Sequence, residues 1–388
     1  MSRALAVFAP VIGGQSETFI RRHMRDLLPG GTVVVADSSD GPLGGHWSVD
    51  CPSLLLEQAP ARGTLRRVAE RIGRAAGRRR TGKAERVEEF LRDHGVRVVI
   101  GEYLSWSLGW LRIVQSAGAR FFGHAHGCDV SIDLRDPACR KEYLRYNQAD
   151  GVITMSEFSK ARLVAIGLDP EKIHVIPYGV DVPPRNAKHP SSGRAVRCLA
   201  VGRMVGKKAP ILTLDAFRRA ALECPTLRLD YVGDGELLPA ARQFVRAFRL
   251  EDLVTLHGGQ SSETVHRLMN EADIFVQHSV TDPDSGDEEG LPVAILEAMA
   301  HGLSVVATRH SGIPECVGDG ESGFLVDEGD STAMGARLTE LARDPDLRFR
   351  MGEVGWRRAR ERFSWERERS DLLRVVGLDP AGGSVRHD

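Results

Sequence analysis

Val182-Pro183-Pro184-Arg185-Asn186-Ala187-Lys188-His189-Pro190-Ser191-Ser192-Gly193 divides the chain. It carries three prolines and neither helical nor strand periodicity, so it reads as a linker. Before it, short apolar runs at 4–8, 32–36, 97–100, 120–123 and 151–154 alternate with helix-like stretches such as 18–28. After it the alternation restarts, with strand-like runs at 198–201, 229–232, 254–257, 274–277 and 304–307. Helical patterns lie between them at 211–222 and 292–301, and further ones follow Ser331. Strands alternating with helices make βαβ units and parallel sheets. Two such halves leave a cleft between them, and ligands bind at the carboxyl ends of their strands. The expected organisation is an α/β domain over 1–183, a linker over 184–193 and a second α/β domain over 194–365. A last helix near 366–379 and a frayed tail over 380–388 complete it.

Length and composition agree with this division. The chain has 388 residues, 42% of them hydrophobic and 27% charged, enough for two separate cores. Lysine and arginine total 52 against 53 acids, which argues against a general nucleic-acid binder. The cysteines at 51, 128, 139, 198, 224 and 316 include no C-x-x-C pair, so no structural zinc or redox motif is expected. They read as free thiols of a reducing cytoplasm. No apolar run approaches the roughly 20 residues of a membrane helix. The run at 4–12 contains Pro10 and lacks a cleavage pattern, so it reads as a first strand and not as a signal peptide.

The chemistry concentrates at strand ends. Glu289-Gly290-Leu291-Pro292-Val293-Ala294-Ile295-Leu296-Glu297 sets two carboxylates eight positions apart around a helix start, with Pro292 in its first turn. The free N–H groups and positive dipole end at that start favour an anion. Glu289 lies before it and Glu297 about two turns along, which suits a diphosphate flanked by hydroxyl-bearing sugars. Gly202-Arg203, followed by Lys207 and Lys208, ends another strand. There Gly202 permits a tight turn, Arg203 a bidentate grip on phosphate and a lysine a point charge. Val232-Gly233-Asp234-Gly235 is a weaker turn of the same kind. No G-x-G-x-x-G follows the first strand, which argues against a dinucleotide dehydrogenase. His124, His126 and Asp129 follow a first-half strand and are open to structural, metal or hydroxyl-polarising roles.

Taken in order and spacing, these segments resemble the retaining family 4 glycosyltransferases of the GT-B fold. Ser16-Glu17-Thr18-Phe19-Ile20, Ser156-Glu157-Phe158-Ser159 and Tyr178-Gly179-Val180-Asp181 belong to the match, as do Ser311-Gly312-Ile313-Pro314-Glu315 and Phe363-Ser364-Trp365-Glu366. The resemblance implies two Rossmann-like domains whose parallel sheets face an interdomain cleft, with the final helix crossing back onto the first domain. Its catalytic set is His126, Arg203, Lys208 and Glu289. Its donor-binding set adds Gly13, Gly14, Gly202, Gly233, Gly290, Leu291, Pro292, Val293 and Glu297. Its acceptor side comprises Ser16, Glu17, His126 and Asp129. Arg203 and Lys208 neutralise the diphosphate, Glu297 takes the ribose hydroxyls, and Glu289 with the Gly290–Val293 amides holds the sugar.

The implied reaction is retaining sugar transfer from a nucleotide sugar to a glycan or lipid-linked acceptor, in bacterial exopolysaccharide or surface-glycan synthesis. The nucleotide sugar is a co-substrate, no cofactor or metal is called for, and the expected location is the cytoplasm. An epimerase or phosphorylase on the same scaffold, a transferase acting on a soluble small molecule and a non-catalytic binder stay open. Two positions depart from the family pattern: Gln277-His278-Ser279 replaces proline-serine, and Ala209-Pro210 follows Lys208 where glycine is usual. Asp282-Pro283-Asp284 mimics a metal-binding D-x-D and reads as a polar loop. Residues 61–92 hold eleven Lys/Arg against four Glu. They read either as a solvated arm or as a patch for peripheral contact with an anionic membrane.

Overall fold

The computed structural model describes residues 3–14, 17–39, 47–57, 82–186, 188 and 195–379. Ser16, residues 61–81 of the basic segment, most of the linker and the tail 380–388 lie outside the described residues. β1 (Leu5–Val11), β2 (Thr32–Ser38), β3 (Ser53–Leu55), β4 (Val98–Glu102), β5 (Arg120–His124), β6 (Gly151–Thr154) and β7 (Ile173–Val175) form one sheet, ordered β3-β2-β1-β4-β5-β6-β7. β8 (Val196–Val201), β9 (Leu227–Val232), β10 (Val254–Gly258), β11 (Ile274–Gln277), β12 (Ser304–Thr308) and β13 (Gly323–Val326) form the other, ordered β10-β9-β8-β11-β12-β13. All neighbours pair in parallel. Strand order reverses once in each sheet, between β1 and β4 and between β8 and β11. The crevice beyond the strand ends at such a point is the ligand position of doubly wound sheets. The fold is GT-B, two α/β halves with parallel sheets.

The central strands form because they are apolar on both faces, as a sheet covered by helices requires. Leu5–Ala9 and Thr32–Ala36 are buried without interruption. On one face of the first sheet, Ala6, Phe8, Val99 and Phe121 pack with Leu163. On the other, Val7, Ile20 and Ile100 pack with Leu372, Leu373 and Val376. The last three come from the end of the chain, whose helix Trp365–Val375 therefore lies on the first sheet. The crossing is stitched at Val180, whose N–H donates to the Phe363 carbonyl (2.8 Å) and whose carbonyl accepts from the Trp365 N–H (3.0 Å). Gly179 makes that approach possible, since a Cβ there would sit 2.6 Å from the Ser364 carbonyl oxygen.

Three differences from the sequence reading have simple causes. β3, β7 and β13 were not expected, because three or four residues carry too little periodicity to read. The helix expected over 18–28 stops at Arg25, and Leu27 reaches the core from the following turn. Pro292 stands one residue before the helix Val293–Ala300, in extended backbone, and not in its first turn.

Candidate active site

A cleft of about 410 Å³ opens between the two halves. Glu17, Phe19, Tyr103, His126 and Tyr178 line it from the first half, and Gly202, Arg203, Lys208, Glu289 and Glu297 from the second. Gly290, Leu291, Pro292 and Val293 complete the second wall. A wider depression of about 620 Å³ lies against Glu223, Arg343 and Pro345 and contains none of the motif residues.

The second wall grows from strand ends. Gly202 follows β8, and the Lys208 stem lies over it: a Cβ there would touch Cδ at 3.4 Å and Cε at 3.5 Å. Lys208 Nζ pairs with Glu289 Oε2 at 3.1 Å, and Lys207 Nζ pairs with Asp287 Oδ2 at 2.9 Å. Arg203 is exposed and has no ionic or hydrogen-bond partner among the described residues. Burial opposes the Glu289 charge, but the two lysines outweigh it and hold the carboxyl below its usual range. Burial lowers Lys208 despite Glu289. Glu289 Oε1 is buried without a partner. The helix Val293–Ala300 begins beside it, and its first amides have no intrahelical acceptor. At the far end Glu297 is pushed up to about 7, chiefly by burial, with Arg22 opposing and Asp181 reinforcing the rise. The second wall thus joins cations, free amides and an unpartnered carboxylate oxygen in one place. That set can take a diphosphate beside a hydroxyl-bearing group.

The first wall is paired within itself at His23, Glu102 and His126. Glu102 ends β4, is fully buried, and sits among three histidines. His23 donates from Nδ1 to Glu102 Oε1 (2.8 Å) and from Nε2 to Glu368 Oε1 (3.2 Å). Burial opposes a charge on His23, but the two carboxylates outweigh it and raise the ring to about 10. Burial also opposes the Glu102 charge, and the facing His124 and His23 overcome it, holding Glu102 well below the usual carboxylate range. His126 donates from Nε2 to Glu102 Oε2 (2.8 Å) and accepts at Nδ1 from the Tyr178 hydroxyl (2.7 Å). Burial lowers His126 to about 4, so the ring is neutral. With both nitrogens engaged, it offers the cleft a surface and no free base. His124 Nδ1 lies 3.0 Å from Glu102 Oε2, and His23, Glu102 and His124 have metal-ligand proximity. Both His23 nitrogens already serve carboxylates, whereas both buried His124 nitrogens have no hydrogen-bond partner among the described residues.

Several expected site residues sit elsewhere. Asp129 does not reach the cleft: it is fully buried and accepts from the His126 N–H (2.7 Å) and the Tyr143 hydroxyl (3.3 Å), fixing the loop that carries His126. Gly13, Gly14 and Gly233 are also absent from the lining. Gly14 leaves room for Glu17, which accepts from the Tyr103 hydroxyl at 2.7 Å. Gly233 has φ +152, and a Cβ there would fall on the Gly202 carbonyl, so its role is close packing of two strand ends. Asp282 takes N–H bonds from Asp284 and Ser285 and closes its own loop. Glu102 and Tyr103 escaped the sequence reading, and Lys207 was read only as a neighbour of Lys208. A charged residue ending the wholly apolar run at 98–101 was the available signal for the first.

Comparison with known proteins agrees with this architecture. The family described as Glycosyltransferase Family 4 matches residues 32–183, and Glycosyl transferases group 1 matches residues 184–358. The chain belongs to the GT-B glycosyltransferases of these families. The amylovoran biosynthesis glycosyltransferase AmsK of Erwinia amylovora is 34% identical over 234 residues, covering 60% of this chain and 56% of that protein. The chain thus spans about half the length of such curated relatives. A GDP-mannose-dependent phosphatidylinositol monomannoside mannosyltransferase of Mycolicibacterium smegmatis is 27% identical over 276 residues, covering 68% of this chain and 72% of that one. Anabaena HepE, solved in complex with UDP, superposes with a TM-score of 0.75 at 17% identity, over 96% of this chain and 99% of that one. No helix among the described residues is long and apolar enough to cross a membrane.

Proposed function

We propose that this GT-B protein is a retaining glycosyltransferase that moves a sugar from a nucleoside diphosphate sugar to an acceptor hydroxyl during bacterial exopolysaccharide or surface-glycan assembly. The observation that carries this reading is Glu289, whose buried Oε1 lacks a partner beside Lys208 and the start of the Val293–Ala300 helix. A sugar hydroxyl supplies the missing donor, and the neighbouring cations face the phosphates. The acceptor class follows the names of relatives such as AmsK. Among relatives both GDP-mannose and UDP occur, so the base is left to experiment.

The chemistry follows from charge. The bond between the anomeric carbon and the distal phosphate oxygen breaks, and its electron pair goes to the phosphate. Arg203, Lys207, Lys208 and the helix start stabilise that charge in a partly dry cleft. The acceptor oxygen attacks from the same sugar face, and its proton passes to a phosphate oxygen. His126 cannot take it, because both its nitrogens are engaged. Glu289 orients the sugar and Glu297 accepts from the ribose hydroxyls. The co-substrates are the nucleotide sugar and a glycan or lipid-linked acceptor. The basic stretch 61–92 provides the peripheral contact with anionic membrane, at the cytoplasmic face.

A panel of nucleoside diphosphates in a thermal-shift assay, followed by turnover with the matching sugar nucleotides, tests the proposal. The expected result is one preferred base, sugar transfer or slow donor hydrolysis, and retained anomeric configuration by NMR. A protein that binds no nucleoside diphosphate, or that inverts a sugar carbon without releasing one, refutes it.

A further inference from the structure

We propose that the free protein occupies its diphosphate-binding cations with its own carboxylates, and that an arriving donor takes Lys208 from Glu289 while its sugar satisfies the released carboxylate. This rests on the donor-site reading above and adds a turnover device to it. Three consecutive acids carry the argument. Asp287, Glu288 and Glu289 pair with Lys207 (2.9 Å), Arg162 (2.7 Å) and Lys208 (3.1 Å) respectively. Arg162 belongs to the first half, on the helix Glu157–Ala165, whereas Lys207 and Lys208 line the cleft. The Lys208 and Glu289 side chains are only 13% and 9% exposed, so their charges have little water to fall back on.

The charge count then requires an exchange. Three cations of the second wall, Arg203, Lys207 and Lys208, face a diphosphate. Asp287 and Glu289 already consume two of them. Only Arg203 stands unpartnered among the described residues. A diphosphate entering without exchange would meet one free cation and two nearby carboxylates. When Lys208 turns to the phosphate, Glu289 loses its Oε2 partner while Oε1 already has none. Leaving a buried carboxylate bare is costly. A nucleotide sugar repairs the loss, because its hydroxyls donate to Glu289. A spent nucleoside diphosphate does not, and Glu289 reclaims Lys208. The same carboxylate therefore holds the sugar before transfer and helps expel the product after it.

The test is binding of inorganic pyrophosphate, UDP and GDP by calorimetry at fixed salt and pH 7. Pyrophosphate carries no ribose, so Glu297 does not enter its result. Glu289→Gln should bind all sugar-free ligands that the wild type binds roughly threefold to tenfold more tightly, because the phosphate no longer competes with a carboxylate for Lys208. Asp287→Asn removes the more exposed of the two carboxylates, and Lys207 keeps its bond to the Glu288 carbonyl, so this change should tighten binding less. Lys208→Met should weaken binding, and adding Glu289→Gln to it should no longer tighten it, since the effect runs through that lysine. Equal or weaker binding by both acid variants, with melting unchanged, overturns the exchange and leaves the donor site standing. So does equal tightening with and without Lys208. If the wild type binds none of the three ligands, the donor-site reading falls and the exchange with it.

Discussion

The two walls of the cleft are built in opposite ways. In the first half, the groups that fix His126 are partnered within the protein: Glu102 serves His23 and His126, and Tyr178 serves the remaining His126 nitrogen, while the buried His124 beside them makes no hydrogen bond among the described residues. In the second half, Arg203 stands open, Glu289 keeps an unpartnered oxygen, and the Val293–Ala300 helix presents its first amides. A finished network gives a fixed shape. An unfinished one waits for a ligand to complete it. The asymmetry teaches that charge recognition belongs to the second half and that the first half supplies a preformed surface around a neutral His126. It follows that damage to the first wall shows as lost stability, and damage to the second as lost binding and turnover.

The largest expected effect is on stability. Glu102→Ala leaves the buried, charged His23 with Glu368 alone and should cost about 3–5 kcal/mol in urea unfolding, as breaking a buried ion pair does. Little loss would mean that the network contributes shape alone. The pH dependence carries a sign. His23 is raised in the folded state, so its contribution is fully present below the unfolded value of about 6.5 and fades as pH climbs through about 10. The stability gap between wild type and His23→Gln should therefore narrow on the alkaline side.

Next come the second-wall cations. Lys208→Ala should lower kcat/KM by about 2–4 kcal/mol, the loss seen when one preorganised donor to a developing anion is removed. Arg203 is exposed, so Arg203→Ala belongs at the low end of that range. Arg203→Ala, at an exposed site, should not move the melting midpoint by more than a few degrees. Full activity in both variants would erase the contrast between the walls.

A smaller effect attaches to Glu297. Burial lifts it to about 7 in the free protein, so near neutrality it is part protonated and loses acceptor capacity. Nucleoside diphosphate affinity should be flat at alkaline pH and fall by up to about tenfold per unit below 7. The phosphate itself titrates near 6, so the useful quantity is the difference from Glu297→Gln, in which that contribution cancels. A wild type and variant with identical pH profiles would remove Glu297 from the nucleotide site.

What was legible in the sequence follows the same division. The inner strands of both parallel sheets could be read because most are dominated by buried apolar residues, and the cationic and acidic groups of the second wall stand next to strand ends and a helix start. The first wall was harder. Glu102 acquires meaning only when His23, His126 and Glu368 converge from three distant segments. The glycines misled in a consistent way. Gly233 serves close backbone packing and Gly14 makes room for the Glu17 side chain, which a turn motif cannot distinguish from ligand approach. The two departures from the family pattern also became intelligible. Ala209 holds φ +38, a conformation that favours the usual glycine and costs alanine roughly 1 kcal/mol. His278 takes the Gly329 N–H at 2.8 Å, and Ser279 exchanges bonds with Thr308, so the replacement segment is tied into the core. Glu315, from the Ser311–Glu315 motif, accepts from the Glu157 and Phe158 N–H groups at 2.8 Å each. Two motifs quoted separately thus meet across the halves, which spacing along one chain does not reveal.

The smallest expected effect is that of chelation, and it tests whether the second wall is complete in charge. Arg203, Lys207, Lys208 and the Val293–Ala300 helix start can offset a diphosphate without a metal. Asp282, half of the D-x-D look-alike, spends its carboxylate on the N–H groups of Asp284 and Ser285. Turnover in EDTA should therefore match turnover without it. If activity is lost and manganese or magnesium restores it, the loss has two separable sources. A metal at the second wall would make Asp284→Asn insensitive to the added ion at unchanged stability. A metal among His23, Glu102 and His124 would instead lower the melting temperature on chelation, because those side chains are buried in the first wall. The second outcome would also show that the first wall is not complete by its own pairing, and the contrast between the two halves would have to be redrawn around an ion.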